Sequence, residues 1–351
     1  MENNFLNLLH SPFKNELMSE KIKSIEDIAK SLGVSKSTVS RALNDSPLIS
    51  DNTKEKIQAY AKEHNFCINQ TARSLSIQKT GIVAFVLPEK KHKHECNCED
   101  PFMAELLSAL VRNLNFSSYD LLIIHVNINS ENWVKKYIDG KLVDAIIFLS
   151  CHEIDRVYNI MNKRDVPFVR ISTISKDINS VSCDDYNGAM IAVQHLYETG
   201  RRNIAFIGGS KEDYVTNTRY NGYIDALKKY NLEADNDLVD YGNYSPESGY
   251  DAMKRIFEKN KKIDSVFVCS DVMACCAMDV IKERNLGIPE DISVVGFDDT
   301  VANLCRPELT TIHQDISLLA KECVNVLLNS METGKVFQKI LPVKLIKRDS
   351  T

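Results

Sequence analysis

No stretch of this chain stays apolar long enough to cross a bilayer, and its first residues lack the long apolar run of a secretory signal, which points to a protein of the cytoplasm. A Gly-rich phosphate loop after the first aliphatic strand is missing, as are a nucleophile elbow and a convincing catalytic triad, so an enzyme on an α/β scaffold is disfavoured. An excess of positive charge is missing as well: 43 Lys and Arg stand against 48 Asp and Glu. With a net charge of −5 over 351 residues, the chain taken whole is a poor match for nucleic acid. Its ten cysteines form no framework: apart from Cys96/Cys98 and Cys275/Cys276 they are scattered, several inside apolar runs such as Val266-Phe267-Val268-Cys269, the pattern of buried, reduced thiols.

The charge deficit is unevenly spread. Residues 18–79 hold ten Lys and Arg against seven Asp and Glu, a net of +3, and the remainder carries −8. A mildly basic head on an acidic body suits a small nucleic-acid module joined to a domain that leaves nucleic acid alone. Within the head, Ser24 to Leu43 reads as two short helices folded back on each other about Gly33, with apolar positions at Ile28, Ala29, Leu32, Val34, Val39 and Ala42. Ser35 is placed to cap the second helix. The outward residues of that helix, Lys36, Ser37, Ser40 and Arg41, lie near its N-terminal half, where a recognition helix meets base edges and phosphates. Asn44-Asp45-Ser46-Pro47 is a loop; Ser50 caps a third helix over 51–64, with Ile57, Tyr60 and Ala61 inward and Asn65 in the left-handed position at its end.

Residues 1–20 fit nothing downstream and read as a disordered extension, or as a misassigned start with Met18 as the true first residue. Between Cys67 and Ser76 lies one short segment that Asn69 can cap, too short and too polar to be a stable helix in isolation. From Thr80 onward short aliphatic runs, such as 81–87, 144–149, 204–208 and 292–296, alternate with amphipathic stretches of helical length. That alternation predicts parallel sheets covered on both faces, and about 270 residues of it make roughly two doubly wound lobes with a ligand cleft between them.

The residues resemble the LacI/GalR family of bacterial transcription repressors. Ile25-Glu26-Asp27-Ile28-Ala29 through Gly33-Val34-Ser35 to Thr38-Val39-Ser40-Arg41 is similar to its head signature, and Ala72-Arg73-Ser74-Leu75 to its hinge. Asn203 to Gly209, Pro289 to Asp299 and Leu309 to Gln314 resemble its effector-domain signatures, and the blocks run in order from about Ile22 to the C-terminus. The resemblance implies a small all-α helix-turn-helix head at 21–65, a hinge at 66–79, and at 80–351 an α/β two-lobed domain of the periplasmic-binding-protein type with two doubly wound parallel sheets. It places the first lobe at about 80–180 plus 312–335 and the second at about 181–311 plus 336–351. A homodimer on a palindromic operator follows, since an isologous dimer and a two-fold operator require each other. Some relatives form tetramers through an extra C-terminal helix of leucine heptads, which does not follow Lys347-Arg348-Asp349-Ser350-Thr351 here.

For DNA the resemblance makes Lys36 and Ser37 the base-selecting pair, sets Ser35, Thr38, Ser40 and Arg41 at shared contact positions, and offers Ser24 and Asn44 to phosphates. In the hinge, Asn69 and Arg73 accompany Leu75, which matches the leucine that relatives wedge into the minor groove. Ile68 and Gln70 depart from the usual proline and small residue there. For a small-molecule effector, Asp100, Phe102, Arg219, Tyr244, Asp271 and Asp298 match cleft-lining positions, with Asp184 and Gln314 beside them. Carboxylates, a guanidinium and aromatic faces suit the hydroxyls and C–H patches of a sugar; a nucleobase is the alternative, as one branch of the family senses purines. The insertion His92-Lys93-His94-Glu95-Cys96-Asn97-Cys98 matches no recognised zinc spacing and reads as a charged surface loop, so no metal and no cofactor are expected. A transporter's solute-binding protein would share the body but not the helix-turn-helix.

Overall fold

The computed structural model describes residues 22, 24–66, 79–88, 100–149 and 154–351. The extension 1–20, the hinge positions Asn69, Arg73 and Leu75, and the insertion His92–Cys98 lie outside the described residues. The chain divides into two compact units, 1–79 and 80–351.

In the first unit, α1 (Ile25–Leu32), α2 (Lys36–Leu43) and α3 (Asp51–Glu63) close over a core of Ile28, Ala29, Val39, Ala42, Ile57 and Ala61. Each helix starts where its cap dictates. Ser24 opens α1 with a capping box: its hydroxyl accepts from the Asp27 N–H at 3.2 Å, and the Asp27 carboxylate accepts from the Ser24 N–H at 3.0 Å. Gly33 ends α1 at φ 64°, the left-handed turn the sequence predicts, and Ser35 caps α2 by accepting from the Thr38 N–H at 3.1 Å. Asn65 likewise takes φ 50° after α3. Ser50 stands at the head of α3, but its hydroxyl pairs with that of Thr53 and makes no side-chain cap.

The second unit holds two six-stranded sheets. The first contains β1 (Ile82–Pro88), β2 (Asp120–Val126), β3 (Ala145–Leu149), β4 (Phe168–Ile171), β5 (Ser180–Cys183) and β11 (Gln338–Leu341) in the order β11-β5-β4-β3-β1-β2, all parallel. The second contains β6 (Ile204–Gly208), β7 (Val239–Tyr241), β8 (Ser265–Val268), β9 (Ser293–Asp298), β10 (Thr310–Gln314) and β12 (Val343–Ile346) in the order β12-β10-β9-β8-β6-β7, parallel but for β12, which runs against β10. Helices α4 (Pro101–Phe116), α5 (Ile154–Arg164) and α10 (Ile316–Thr333) accompany the first sheet; α6 (Asp185–Glu198), α7 (Tyr214–Lys229), α8 (Pro246–Glu258) and α9 (Asp271–Glu283) accompany the second.

Burial on both faces explains the unbroken aliphatic strands. Along β1, Val83 and Phe85 face one core with Leu106, Leu110 and Leu327, while Ala84 and Val86 face another with Trp133 and Phe148. The chain crosses between the sheets three times, after β5, after β10 and after β11. These crossings shift the predicted lobe limits. Residues 181–183 and 338–341, assigned to the second lobe from sequence, form β5 and β11 of the first sheet, where Gln338 to Leu341 pair with Ser180 to Cys183. Residues 312–314, assigned to the first lobe, belong to β10 of the second sheet. No described helix is long and apolar enough to cross a membrane.

Candidate functional site

The exposed face of α2 presents Lys36, Ser37 and Arg41, with Thr38 and Ser40 half-buried beside them. Local bonds sort these side chains. The Ser35 hydroxyl, already capping α2, also pairs with the hydroxyls of Ser37 at 2.7 Å and Thr38 at 2.8 Å. Lys36 makes an exposed ion pair with Glu26 on α1, which holds the Glu26 carboxyl below its usual range. Asn44 bonds the Ser40 carbonyl at 2.8 Å and so finishes the helix. Ser24, offered to phosphate from sequence, has its hydroxyl in the α1 capping box.

A second cluster forms where parallel strands of the second sheet deliver their carboxyl ends, the side on which doubly wound folds bind ligands. Arg219 on α7 is only 4% exposed. Its Nε and Nη2 both donate to Asp185 Oδ1 at 2.8 Å, and Nη1 donates to the Cys269 carbonyl at the end of β8. The other Asp185 oxygen accepts from the Ser182 hydroxyl at 3.1 Å. The guanidinium lies 3.5 Å from the centre of the Phe297 ring. Phe297 has room because residue 188 on α6 is glycine: a Cβ there would stand 2.7 Å from the ring.

Strand β9 ends in a backbone that non-glycine residues rarely adopt, with Asp298 at φ 109° and Asp299 at φ 64°. Neighbouring bonds hold it there. Asp298 accepts from Gln314 Nε2 at 2.6 Å, and Asp299 accepts from Arg348 at 2.6 Å and pairs with His313 Nδ1 at 3.0 Å. Asp271, at the start of α9 and fully buried, accepts from the Thr300 N–H at 2.8 Å and from the Thr311 hydroxyl. Tyr244, itself at φ 69°, lies against Gly209 after β6, where any Cβ would collide with its ring, and its hydroxyl pairs with that of Thr216 at 2.8 Å.

The electrostatics follow from burial. It pushes Asp298 well above the carboxylate range; Arg219 pulls the other way, while the Asp271 and Asp100 charges add to the rise. Burial likewise pushes Asp271 up to about 7, against the bonds from Thr311 and Thr300. Asp185 is raised by burial despite the Arg219 charge. Burial works against the Arg219 charge too, but Asp185, then Tyr244 and Asp298, raise the guanidinium above its ordinary value.

Of the effector candidates, the structure brings together Arg219, Tyr244, Asp298 and Gln314. Asp271 adjoins them but serves to fasten the 300–311 stretch. Asp100 caps α4, accepting from the Phe102 N–H at 3.1 Å, and its charge reaches Asp298; Phe102 packs on the core of the first sheet. Asp184 caps α6 through the Asn187 N–H at 3.1 Å, and the neighbouring Asp185 is the residue that grips Arg219. Asp185, Phe297 and Thr216 were not singled out from sequence, although the Asp184-Asp185 pair was the available signal. Among the described residues no group of three His, Cys, Asp or Glu could hold a metal ion.

The thiols divide. Cys183, Cys269 and Cys323 are buried and free, as the sequence predicts, but Cys275 of α9 and Cys305 are joined by a disulfide, with Cα atoms 5.8 Å apart. A separation of 30 residues hid that pairing from the spacing.

Two family models match the chain: "Bacterial regulatory proteins, lacI family" over residues 24–69, and "Periplasmic binding protein-like domain" over residues 193–351. The transcriptional regulator CelR of Thermobifida fusca is 30% identical over 335 residues, covering 93% of this chain and 98% of that one. The transcriptional repressor PurR of Histophilus somni (strain 2336) is 29% identical over 335 residues, with coverages of 93% and 98%. Among solved structures, a CelR–cellobiose complex matches with a TM-score of 0.72 at 29% identity, covering 93% of this chain and 99% of that one. The Lac repressor dimer bound to operator and the anti-inducer ONPF matches with a TM-score of 0.80 at 25% identity, covering 93% and 98%.

Proposed function

The chain belongs to the LacI family of bacterial regulatory proteins and is a DNA-binding transcriptional regulator rather than an enzyme; from that premise we propose that it represses genes of carbohydrate uptake or catabolism and is switched by a sugar. The observation that carries the effector half is the side-by-side placement of the Arg219–Asp185 and Asp298–Gln314 pairs at strand ends, with Phe297 beneath the guanidinium. Such a set offers N–H donors and carboxyl oxygens to hydroxyl groups. One similar solved structure is a CelR–cellobiose complex, which makes that disaccharide the first ligand to try.

On the DNA side, Lys36 and Ser37 select bases, Thr38, Ser40 and Arg41 support the contact, and a homodimer presents two heads to a palindromic operator. An effector that prefers one arrangement of the two lobes changes operator affinity by linkage.

A thermal-shift panel of sugars, sugar phosphates and purines tests the reading. A sugar at 100 times its Kd raises the stability of the state it binds by about 2.7 kcal/mol. A panel in which no sugar acts and a purine does would replace the sugar with a nucleobase.

A further inference from the structure

Cys275 lies one helical turn after Asp271 on α9, and Cys305 ends the stretch that leaves β9 at Asp298. That stretch is therefore fastened to α9 at two points: the Thr300 N–H donates to Asp271 near its start, and the disulfide holds its end. A Cα separation of 5.8 Å is within the span a disulfide bridges without backbone movement.

We propose that Cys275 and Cys305 form a reversible thiol–disulfide site, exchanged by a low-molecular-weight disulfide, which sets how firmly the 298–305 wall of the effector cluster is held. Its bearing on ligand binding rests on the assignment of that cluster as the effector site. The exchange itself does not.

The sulfurs differ in access. Cys275 is half-buried, whereas Cys305 is 7% exposed, so the external disulfide meets Cys275. The Cys275 thiolate attacks one sulfur of the external disulfide, whose S–S bond breaks, and the departing thiolate takes a proton. The Cys305 thiolate then attacks Cys275 Sγ and expels the second external thiolate. Two protein thiols are oxidised, one external disulfide is reduced to two thiols, and an excess of external thiol reverses both steps. The adjacent Cys276 thiol is raised by burial, with Asp279 and Glu247 adding to the rise, so it supplies little thiolate and stands aside.

Coupling to the cluster follows from the backbone. Asp298 at φ 109° and Asp299 at φ 64° persist because their surroundings over-determine them, and the disulfide is one of the constraints. Asp271 and Cys275, four residues apart, share a face of α9, so the two fastenings act on one rigid support.

The full-length protein is equilibrated with glutathione disulfide or with dithiothreitol, unfolded in N-ethylmaleimide, digested and analysed by mass spectrometry. The expected result is a Cys275–Cys305 cross-linked peptide with alkylated Cys276 in the oxidised sample, and three alkylated thiols in the reduced one. Hydrogen exchange of the same samples, without any effector, is expected to be about tenfold faster over 298–306 after reduction. Cys305→Ser should show the fast pattern in both buffers, and reduced wild-type protein supplies that comparison if the variant does not fold. Free thiols or glutathione adducts at the pair in the oxidised sample, a Cys276–Cys305 link, or equal exchange in the two states would overturn the proposal. Failure of every sugar, sugar phosphate and purine in the ligand panel would overturn the effector-site assignment and leave these readings standing.

Discussion

Replacing Arg219 by methionine removes one member of an ion pair whose side chains are 5% and 3% exposed, and leaves Asp185 buried without its partner. Both guanidinium bonds to Asp185 go, as does the bond to the Cys269 carbonyl. Breaking a buried pair from one side costs roughly 3–5 kcal/mol, because the orphaned charge keeps its desolvation penalty. A domain of this size loses about 2–4 °C of Tm per kcal/mol, so the second unit should melt roughly 6–20 °C lower. Calorimetry of the full chain reads this directly. Removing both charges together, in Arg219→Met with Asp185→Leu, should restore much of the loss, since Asp185 is then no longer a buried carboxylate without its partner. Neither variant should respond to the sugar that stabilises the wild type. A single variant within about 1 kcal/mol of wild type, or a double variant less stable than the single one, would refute the reasoning.

Ser24→Ala removes the capping box of α1 and should lower head stability by about 0.5–2 kcal/mol, while Ser24→Asp keeps the cap; circular dichroism melting and operator titration follow both, and equal losses for the two would show that capping is not what Ser24 does. Glu26→Gln releases Lys36 from its ion pair, so the ammonium is freer to meet a base edge and the preference for operator over unrelated DNA should widen; an unchanged preference would mean that the pair with Glu26 does not compete with base contact. Lys36→Ala and Ser37→Ala should alter the preferred operator sequence in a selection experiment, whereas Arg41→Ala should weaken all sequences together. Asp271 has a folded-state pKa of about 7 against an unfolded value near 3.8, so its contribution to stability is fully present below about 4 and is lost as pH rises through 7. Relative to Asp271→Asn, wild-type protein should therefore lose roughly 4 kcal/mol at most between pH 4 and pH 7.5; a constant difference in Tm across that range would reject the assignment.

The helical head was legible because its signals are local. Gly33, Ser35 and Asn65 each dictate a backbone state within a few residues, and the structure holds all three as expected. Central strands such as Phe206 and Val266 were legible through burial on both faces, which leaves unbroken apolar runs. Strands β5 and β11 escaped: Ser180-Val181-Ser182-Cys183 is buried throughout yet half hydroxylic, and Gln338-Lys339-Ile340-Leu341 lies at an exposed edge. The lobe limits failed for the same reason, because only pairing shows to which sheet a short mixed strand belongs. In the effector cluster, the choice between Asp184 and Asp185 turned on which carboxylate the helix start consumes. Asp184 caps α6, which leaves Asp185 to face Arg219. The Cys275–Cys305 bond depends on where the stretch after β9 returns, which no local pattern records.

The late strands β11 and β12 make the two lobes partners in synthesis as well as in shape. Each sheet takes one strand from residues 338–346, so neither lobe is complete until that stretch has been made. During translation both sheets must wait with an open edge, β5 of the first and β10 of the second, offering unpaired backbone until the ribosome has passed residue 346. A premature stop in this short stretch would thus blunt two lobes at once, and a nascent chain stalled before it would expose two sticky strand edges rather than one finished domain.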